Sequence, residues 1–160
     1  QIIITLGGVS KGNYDLIRKH YSKLGIKILV DGISIRPGKP IIIGKLGSKI
    51  IFCLPGNPIS SIVCSRLFIV ALIRKMLGKT HETLPKRKAM LSQDLKVSIS
   101  QREHYMRAFT FQEEATQYVK AFSQQDSSLH SVLIKSNCLL IIPPGSTSKY
   151  KGEAVDIIDF

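Results

Sequence analysis

The first third of the chain alternates short apolar runs with turns rich in glycine and proline. Apart from Gln1, residues 1–6 are apolar or β-branched, which predicts a strand that ends at Gly7 and Gly8. Asn13 is a predicted helix cap, and apolar residues recur on one helical face until Gly25 predicts the end of that helix. The order of strand, glycine turn and helix is typical of an α/β domain.

Further apolar runs predict three more strands and one long helix before residue 80. Residues 26–30 form one predicted strand, and residues 41–43 and 49–52 form a predicted hairpin. Asn57 is a predicted N-cap followed by proline at the first helical position, so we expect a helix over residues 58–77. The apolar periodicity of this segment agrees with its start and stop signals.

The pattern changes after this helix. Residues 79–88 mix basic, polar and proline residues without periodicity, which is typical of a linker, and we place a domain boundary between residues 1–80 and 81–160. The second domain is predicted to be a small, mostly β unit. Its predicted elements are strands over residues 89–100, 104–112, 117–123, 139–142 and 154–158, and a helix over residues 127–135.

Composition and charge narrow the classes of ligand. Apolar residues make up 44% of the 160 residues, which is enough for a core, and the formal net charge of +12 favours anionic partners. Phosphates, oxyanions, nucleic acid and acidic lipid all fit that charge, and scattered lysines are also consistent with a solvated surface.

The longest apolar stretch, residues 62–72, contains Ser65 and Arg66 and is too short to span a bilayer, so we expect no transmembrane segment. Because the chain opens on a strand without a charged leader, we expect it to begin inside a domain.

The thiols and imidazoles are dispersed along the sequence. The cysteines share no metal-ligand or disulfide spacing, so we expect buried thiols in a reducing cytosol at Cys53, Cys64 and Cys138. For the histidines we expect surface or packing roles and no protein-ligated transition metal. They are His20, His81, His104 and His130.

Three turns carry candidate chemistry. The first turn can offer backbone N–H groups to an anion at a helix N-terminus, although an ordinary tight turn has the same pattern; its residues are Gly7, Gly8, Ser10 and Gly12. Asp15 follows in the first helical turn, where a carboxylate either holds Mg²⁺ beside a phosphate or compensates the helix dipole.

The second turn places Arg36 and Lys39 on either side of a Pro-Gly pair. Two cations fixed by a rigid turn can clamp a tetrahedral oxyanion, and a solvated pair of side chains is the alternative. The third turn, residues 55–58, has two prolines around Gly-Asn and opens the long helix. Its prolines fit a rigid connector, which leaves its ligand role open on this pattern alone.

Together these motifs resemble the molybdopterin molybdenumtransferase family, which includes bacterial MoeA and the E domain of gephyrin. The resemblance rests on GGVSKG at residues 7–12, RPGKP at residues 36–40 and LPGNP at residues 54–58, in the family's order. In the C-terminal part, QREHYMR at residues 101–107 and the segment of residues 136–145 also resemble family motifs. The resemblance therefore covers nearly the whole chain.

The resemblance implies a fold and an activity. The expected fold is α/β: a partial three-layer molybdopterin-binding domain followed by a small C-terminal β-barrel. The expected activity is Mg²⁺-dependent insertion of molybdate into the dithiolene of adenylated molybdopterin, with release of AMP. It also implies a cytoplasmic homodimer that binds the pterin nucleotide and molybdate and contacts a molybdopterin adenylyltransferase, with no membrane partner.

The resemblance also assigns roles to individual residues. It implies that Asp15 handles the metal and the adenylate, and that Arg36 and Lys39 hold molybdate with help from Arg107 and Ser127. The remaining implied residues contact the pterin nucleotide or shape its pocket: Gly7, Gly8, Ser10, Gly12, Pro55, Gly56 and Pro58.

Two other functions remain open from the sequence. One is a catalytically incomplete or degenerate family member that acts as a dimerising or scaffolding module. The other is nucleic-acid binding by a basic barrel, because charge and aromatic side chains interleave at Arg102, Tyr105, Arg107 and Phe109. The same alternation is expected of a strand with one buried face, which we favour over nucleic-acid binding.

Overall fold

The computed structural model describes residues 1–9, 20–79, 84–123, 125 and 130–160, with the main chain alone for residues 130 and 131. Strands and helices follow the order expected of an α/β part and a β part. The strands are β1 (Ile2–Leu6), β2 (Lys27–Asp31), β3 (Ile35–Arg36), β4 (Ile42–Leu46), β5 (Lys49–Leu54), β6 (Arg87–Leu91), β7 (Glu103–Glu113), β8 (Thr116–Ala121), β9 (Cys138–Ile142) and β10 (Ala154–Asp159). The helices are α1 (Pro58–Cys64), α2 (Val70–Met76) and α3 (His130–Ile134), and a π-helical stretch, Ser65–Ile69, joins α1 to α2.

The first sheet has four strands in the order β1-β5-β4-β2. Strand β1 runs parallel to β5 with Ile2 opposite Ile50, and β5 forms an antiparallel hairpin with β4. The predicted first strand, the strand at residues 26–30 and the hairpin are therefore confirmed. The predicted helix after Asn13 lies largely outside the described residues; residues 20–23 are helical, and Gly25 follows them with φ of 71°.

The structure confirms the predicted start and length of the long helix, which is α1, the π-helical stretch and α2 in succession. The side-chain oxygen of Asn57 accepts a hydrogen bond from the backbone N–H of Ser60 at 3.2 Å, so it caps the helix as expected. Proline occupies the first helical turn, where its missing N–H breaks no intrahelical bond. Ile59 and Val63 are fully buried against the sheet. No helix in the described part of the chain is long and apolar enough to cross a membrane.

The second sheet closes into a small barrel. Its strand order is β3-β7-β8-β6-β10-β9, and β7 also pairs with β9, so β6 to β10 form a closed ring of five strands. Val119, Leu140 and Ile157 are fully buried in its interior. The predicted β-barrel after an α/β part is confirmed.

The two parts share a strand and a core. Strand β3 belongs to the first part of the sequence, yet it pairs in parallel with β7 and places Arg36 opposite His104. One apolar cluster contains Phe52 and Val63 from the first part together with Leu139 and Ile158 from the barrel. The barrel is therefore held directly against the α/β part.

Two sequence predictions were wrong in this region. The strand predicted over residues 89–100 ends at Leu91, and the rest pairs through a single bridge between Leu95 and Lys149. Leu95 and Val97 pack against the barrel core without forming a ladder, which explains the strand-like alternation. The predicted linker at residues 79–88 also overlaps the start of β6, which begins at Arg87.

Candidate oxyanion-binding cleft

The topology brings the three glycine- and proline-rich turns to one end of the first sheet. Strands β1 and β5 end there because they are parallel, and β4 begins there because it is antiparallel to β5. The backbone N–H of Gly7, just after β1, donates to the carbonyl of Leu54 at 3.0 Å. The turn after β1 is thus joined directly to the turn after β5.

These two turns approach each other closely because both carry glycine. A Cβ added to Gly56 would lie 3.4 Å from the Cα of Gly7, and Gly7 has φ of 85°, which side chains rarely adopt. Pro55 is buried next to them, and its carbonyl accepts a hydrogen bond from the Ser61 hydroxyl. The helix that follows therefore fixes the shape of the second turn.

The second turn, residues 36–40, carries Arg36 and Lys39 and is called the basic turn below; it is fixed by the same helix. Gly38 has φ of 111°, and a Cβ added there would lie 2.5 Å from the Sγ of Cys64 in α1. The Cys64 thiol lies 3.7 Å from the Gly38 carbonyl, and burial raises the pKa of this thiol to about 12, so it stays protonated. The three cysteines are all buried and free, as the sequence predicted.

A cleft of about 600 Å³ opens between this basic turn and the barrel. Three predicted site residues meet in it: Arg36 and Lys39 from the first part and Arg107 from β7. Among the described residues that line the cleft there is no carboxylate. The lining residues are Arg36, Pro37, Gly38, Lys39, Pro40, Ser60, Arg102, His104, Arg107 and Gln125. This convergence of cations gives the cleft a positive potential that attracts anions.

Arg107 is the most deeply placed of these cations, with 2% of its surface exposed. The side-chain amide of Gln125 accepts a hydrogen bond from the backbone N–H of Arg107 at 3.0 Å and donates one to the backbone carbonyl of Arg107 at 2.9 Å. Beyond the end of β8 at Ala121, this amide also donates to the Phe122 carbonyl at 2.8 Å, so it bridges Phe122 and the main chain of β7. Gln125 therefore fixes the main chain that carries Arg107.

His104 and Arg102 lie beside it in the cleft, and a smaller cavity of about 250 Å³ at the barrel mouth shares both residues. Burial, followed by the positive charges of Arg36, Arg107 and Arg102, lowers the pKa of His104 to about 4. His104 is thus a neutral imidazole at pH 7. The sequence predicted a surface or packing role for His104 and did not predict its position in the cleft.

The other predicted site residues fall elsewhere. Gly56 and Pro58 line a separate pocket of about 420 Å³ with Leu6, and this pocket shares no lining residue with the cleft. Gly7 and Gly8 form the turn after β1, both with positive φ. Four predicted residues lie outside the described part of the chain, and their roles stay predictions: Ser10, Gly12, Asp15 and Ser127.

Sequence reasoning did not nominate Ser60, Arg102, His104 or Gln125 for the site. Arg102 and His104 lie two residues apart before and within β7, so strand alternation could have placed them on one face. Nothing local pointed to Ser60 or Gln125, because each reaches the cleft through the packing of a different element.

The described residues do not supply a metal site. Within residues 1–9, 20–79, 84–123 and 130–160, no three His, Cys, Asp or Glu side chains lie close enough to hold an ion. The predicted Mg²⁺ ligand, Asp15, lies outside these ranges, so its role toward magnesium stays a prediction.

Comparison with protein families agrees with the two-part fold. A family model described as a probable molybdopterin binding domain matches residues 1–75, and one described as the MoeA C-terminal region (domain IV) matches residues 88–160. The chain belongs to the MoeA family. It corresponds to the C-terminal portion of that family, as the sequence motifs implied.

Individual relatives give the same result. The chain is 34% identical over 161 residues to a molybdopterin molybdenumtransferase of Haemophilus influenzae, a match that covers 99% of this chain and 39% of the relative. It is 28% identical to molybdopterin molybdenumtransferase 1 of Mycobacterium tuberculosis, over 98% of this chain and 38% of the relative. A solved structure of a MoeA protein from Pyrococcus horikoshii matches with a TM-score of 0.73 and 26% identity, over 99% of this chain and 37% of that one. This MoeA-family chain therefore spans about two fifths of the length of its relatives.

Proposed function

We propose that this chain supplies the oxyanion-binding part of a molybdopterin molybdenumtransferase. In this proposal, molybdate binds in the cleft and is inserted into adenylated molybdopterin, with release of AMP. The names of the relatives support a role in molybdenum cofactor biosynthesis. The dependence on Mg²⁺, the role of Asp15 and the cytoplasmic homodimer with an adenylyltransferase partner rest on the family resemblance.

The observation that carries the proposal is the convergence of Arg36, Lys39 and Arg107 in one cleft. Molybdate is a tetrahedral dianion, and guanidinium groups bind such oxygens through paired, charge-assisted hydrogen bonds. The backbone of the basic turn is fixed by Gly38 and its contact with α1, so the main-chain positions that carry Arg36 and Lys39 are set before the ligand arrives.

The same groups can assist the reaction that follows binding. Negative charge builds on the oxygens of a phosphoanhydride as AMP leaves, and fixed cations stabilise that charge. The pterin nucleotide would reach the cleft from the turns that contain Gly7 and Gly56, which lie at the same end of the sheet. We also propose that residues 1–80 and 81–160 are two domains, which places the cleft at their junction.

The first experiment measures molybdate affinity by titration calorimetry. Lys39→Met removes one cleft cation from an exposed side chain, and we expect at least about tenfold weaker binding. Lys45→Met is the matched control, because Lys45 is an exposed lysine on β4 outside the cleft lining. Equal affinity for the two variants would refute the cleft as the molybdate site.

The second experiment measures AMP release from adenylated molybdopterin with Mg²⁺ and molybdate. The chain is assayed alone and with the N-terminal part of a MoeA relative, because it spans 39% of the Haemophilus relative. Turnover in either arrangement supports the transferase. Molybdate binding without turnover in either arrangement would favour the incomplete or scaffolding alternative.

A further inference from the structure

His104 lines both the cleft and the cavity at the barrel mouth. The pairing of β3 with β7 puts Arg36 directly opposite His104, and Arg102 lies two residues before it in the chain. On the other side, the β7–β9 ladder places the uncharged Ile142 opposite His104. His104 therefore has an arginine on the neighbouring strand on one side and an apolar residue on the other, and it lines both the cleft and the barrel mouth.

The described charges around His104 are almost all positive. Arg36 and Lys39 approach from β3 and the basic turn, Arg102 and Arg107 come from the segment of β7, and the lining of the barrel mouth adds Lys96. The neighbouring carboxylate, Glu103, points to the opposite face of β7, where it accepts a hydrogen bond from the Tyr105 hydroxyl at 2.5 Å. No carboxylate is found among the described residues that line either cavity with His104.

This arrangement makes the charge of His104 depend on the ligand. Burial, and after it the repulsion by three guanidinium groups, disfavours a proton on the imidazole and lowers its pKa while the cleft holds no anion. A bound dianion would offset that repulsion and offer an acceptor oxygen to an imidazolium N–H, so both effects favour protonation.

We propose that His104 contacts the oxyanion bound in the cleft and gains a proton when a dianion binds, so that anion and proton are taken up together. This inference rests on the proposed function to the extent that the cleft must bind an oxyanion. It adds a ligand-contacting residue and a proton to that binding step. In this role His104 supplies a hydrogen-bond donor whose charge appears only when the anion is present.

The sign of the pH dependence follows from linkage. The pKa of His104 is about 4 in the free cleft and is raised in the complex, so binding takes up a proton between these two values. Affinity therefore rises as the pH falls through the pKa of the complex. If the anion restores His104 to the ordinary histidine range near 6.5, affinity increases about tenfold between pH 8 and pH 5.5.

The test compares the native chain with His104→Gln and His20→Gln in titration calorimetry. Glutamine keeps a donor and an acceptor but does not titrate, and His20 is an exposed histidine outside the cleft lining. Sulfate, which stays a dianion over this range, is the probe between pH 8 and pH 5.5 in buffers of different ionisation enthalpy that report proton uptake, and molybdate is the probe at pH 8. We expect proton uptake and the affinity increase in the native chain and in His20→Gln, and neither in His104→Gln.

An independent measurement follows the His104 imidazole by NMR in the native chain, with and without sulfate, so the result does not depend on how the variant folds. A rise in its pKa with sulfate supports the inference. Oxyanion binding with an unchanged His104 pKa, or with equal pH dependence in His104→Gln, would overturn the inference and leave the proposed function intact. Failure of the native chain to bind molybdate or sulfate would overturn both.

Discussion

The barrel closes on itself, whereas the four-stranded sheet ends on an exposed strand. All five residues of β9 are buried, and β9 pairs on both sides. Most of β1 is exposed, with 71% of Leu6 accessible, and among the described residues β1 pairs only with β5. The difference shows that apolar strands of similar composition make unequal contributions: those of the barrel form a core, and β1 leaves apolar surface open.

The cleft lies where these two regions meet. Its cations come from both parts of the sequence, with Arg36 and Lys39 from the first part and Arg107 from β7. The positions of these groups therefore depend on the closed barrel and on the basic turn, and much less on the exposed edge at β1. Four substitutions test this division, from the largest expected effect to the smallest.

Replacing a leucine by alanine should give the largest difference in unfolding free energy between the two regions. Leu140 is fully buried in β9, and Leu140→Ala is expected to lower the free energy of unfolding by about 3 kcal/mol. Leu6→Ala makes the same chemical change on exposed β1 and should cost less than about 1 kcal/mol. Urea unfolding measures both, and equal losses would show that the comparison between the regions is wrong.

The same contrast explains how much of the fold could be predicted from sequence. The hairpin and the capped helix have local signals, such as Asn57 before a proline, and these elements formed as expected. Strand β3 has only two residues, and its pairing with distant β7 leaves no local signal. The alternation of apolar and polar residues extended the predicted strand to residue 100. Leu95 and Val97 do pack against the barrel core, but such packing does not require hydrogen bonding to a neighbouring strand.

The site divides in a similar way. Arg36 and Lys39 could be nominated because a rigid turn holds them, and Arg107 because it lies in a family-like motif. Strand alternation could have placed His104 on the face of Arg102, but its position opposite Arg36 depends on the register of β3 with β7, and Gln125 acts through a side-chain amide beyond the end of β8. Tertiary contacts decide such positions, and one sequence does not display them.

The second substitution tests the junction between the regions. Gly38→Ala places a Cβ 2.5 Å from the Cys64 Sγ in a backbone conformation with φ of 111°, and we expect a loss of about 2 kcal/mol. Gly47→Ala is the control, since Gly47 has φ of 55° and no atom within 4 Å of the added Cβ, so about 1 kcal/mol is expected. Unfolding in urea compares the two, and adding Cys64→Ala to Gly38→Ala should recover the steric part of the loss.

The third substitution tests the end of the barrel that carries Arg107. Gln125→Ala removes the bonds to the Arg107 N–H and carbonyl, and we expect a loss of about 1–2 kcal/mol together with weaker molybdate binding. Gln112→Ala is the matched control, because the exposed Gln112 amide bonds only the nearby Glu114 carbonyl among its described contacts. If molybdate affinity stays unchanged in Gln125→Ala, then Gln125 does not position Arg107.

The smallest effect is expected at the ion pair between β6 and β10. Arg87 binds Asp159 through two hydrogen bonds of 2.6 and 2.7 Å, which lower the pKa of Asp159 below its ordinary value of 3.8. The stabilisation is therefore present at neutral pH and is lost as the pH falls below that value. Both side chains are about half exposed, so Asp159→Asn should lose less than about 1 kcal/mol at pH 7 and show a flatter acid dependence of unfolding.

The control is Asp156→Asn, which removes the ion pair with Lys88 on the same two strands. It should change the unfolding free energy even less. A larger loss in Asp156→Asn would mean that the bidentate geometry at Asp159 adds nothing, and that the barrel is closed there by its ladder and apolar core alone.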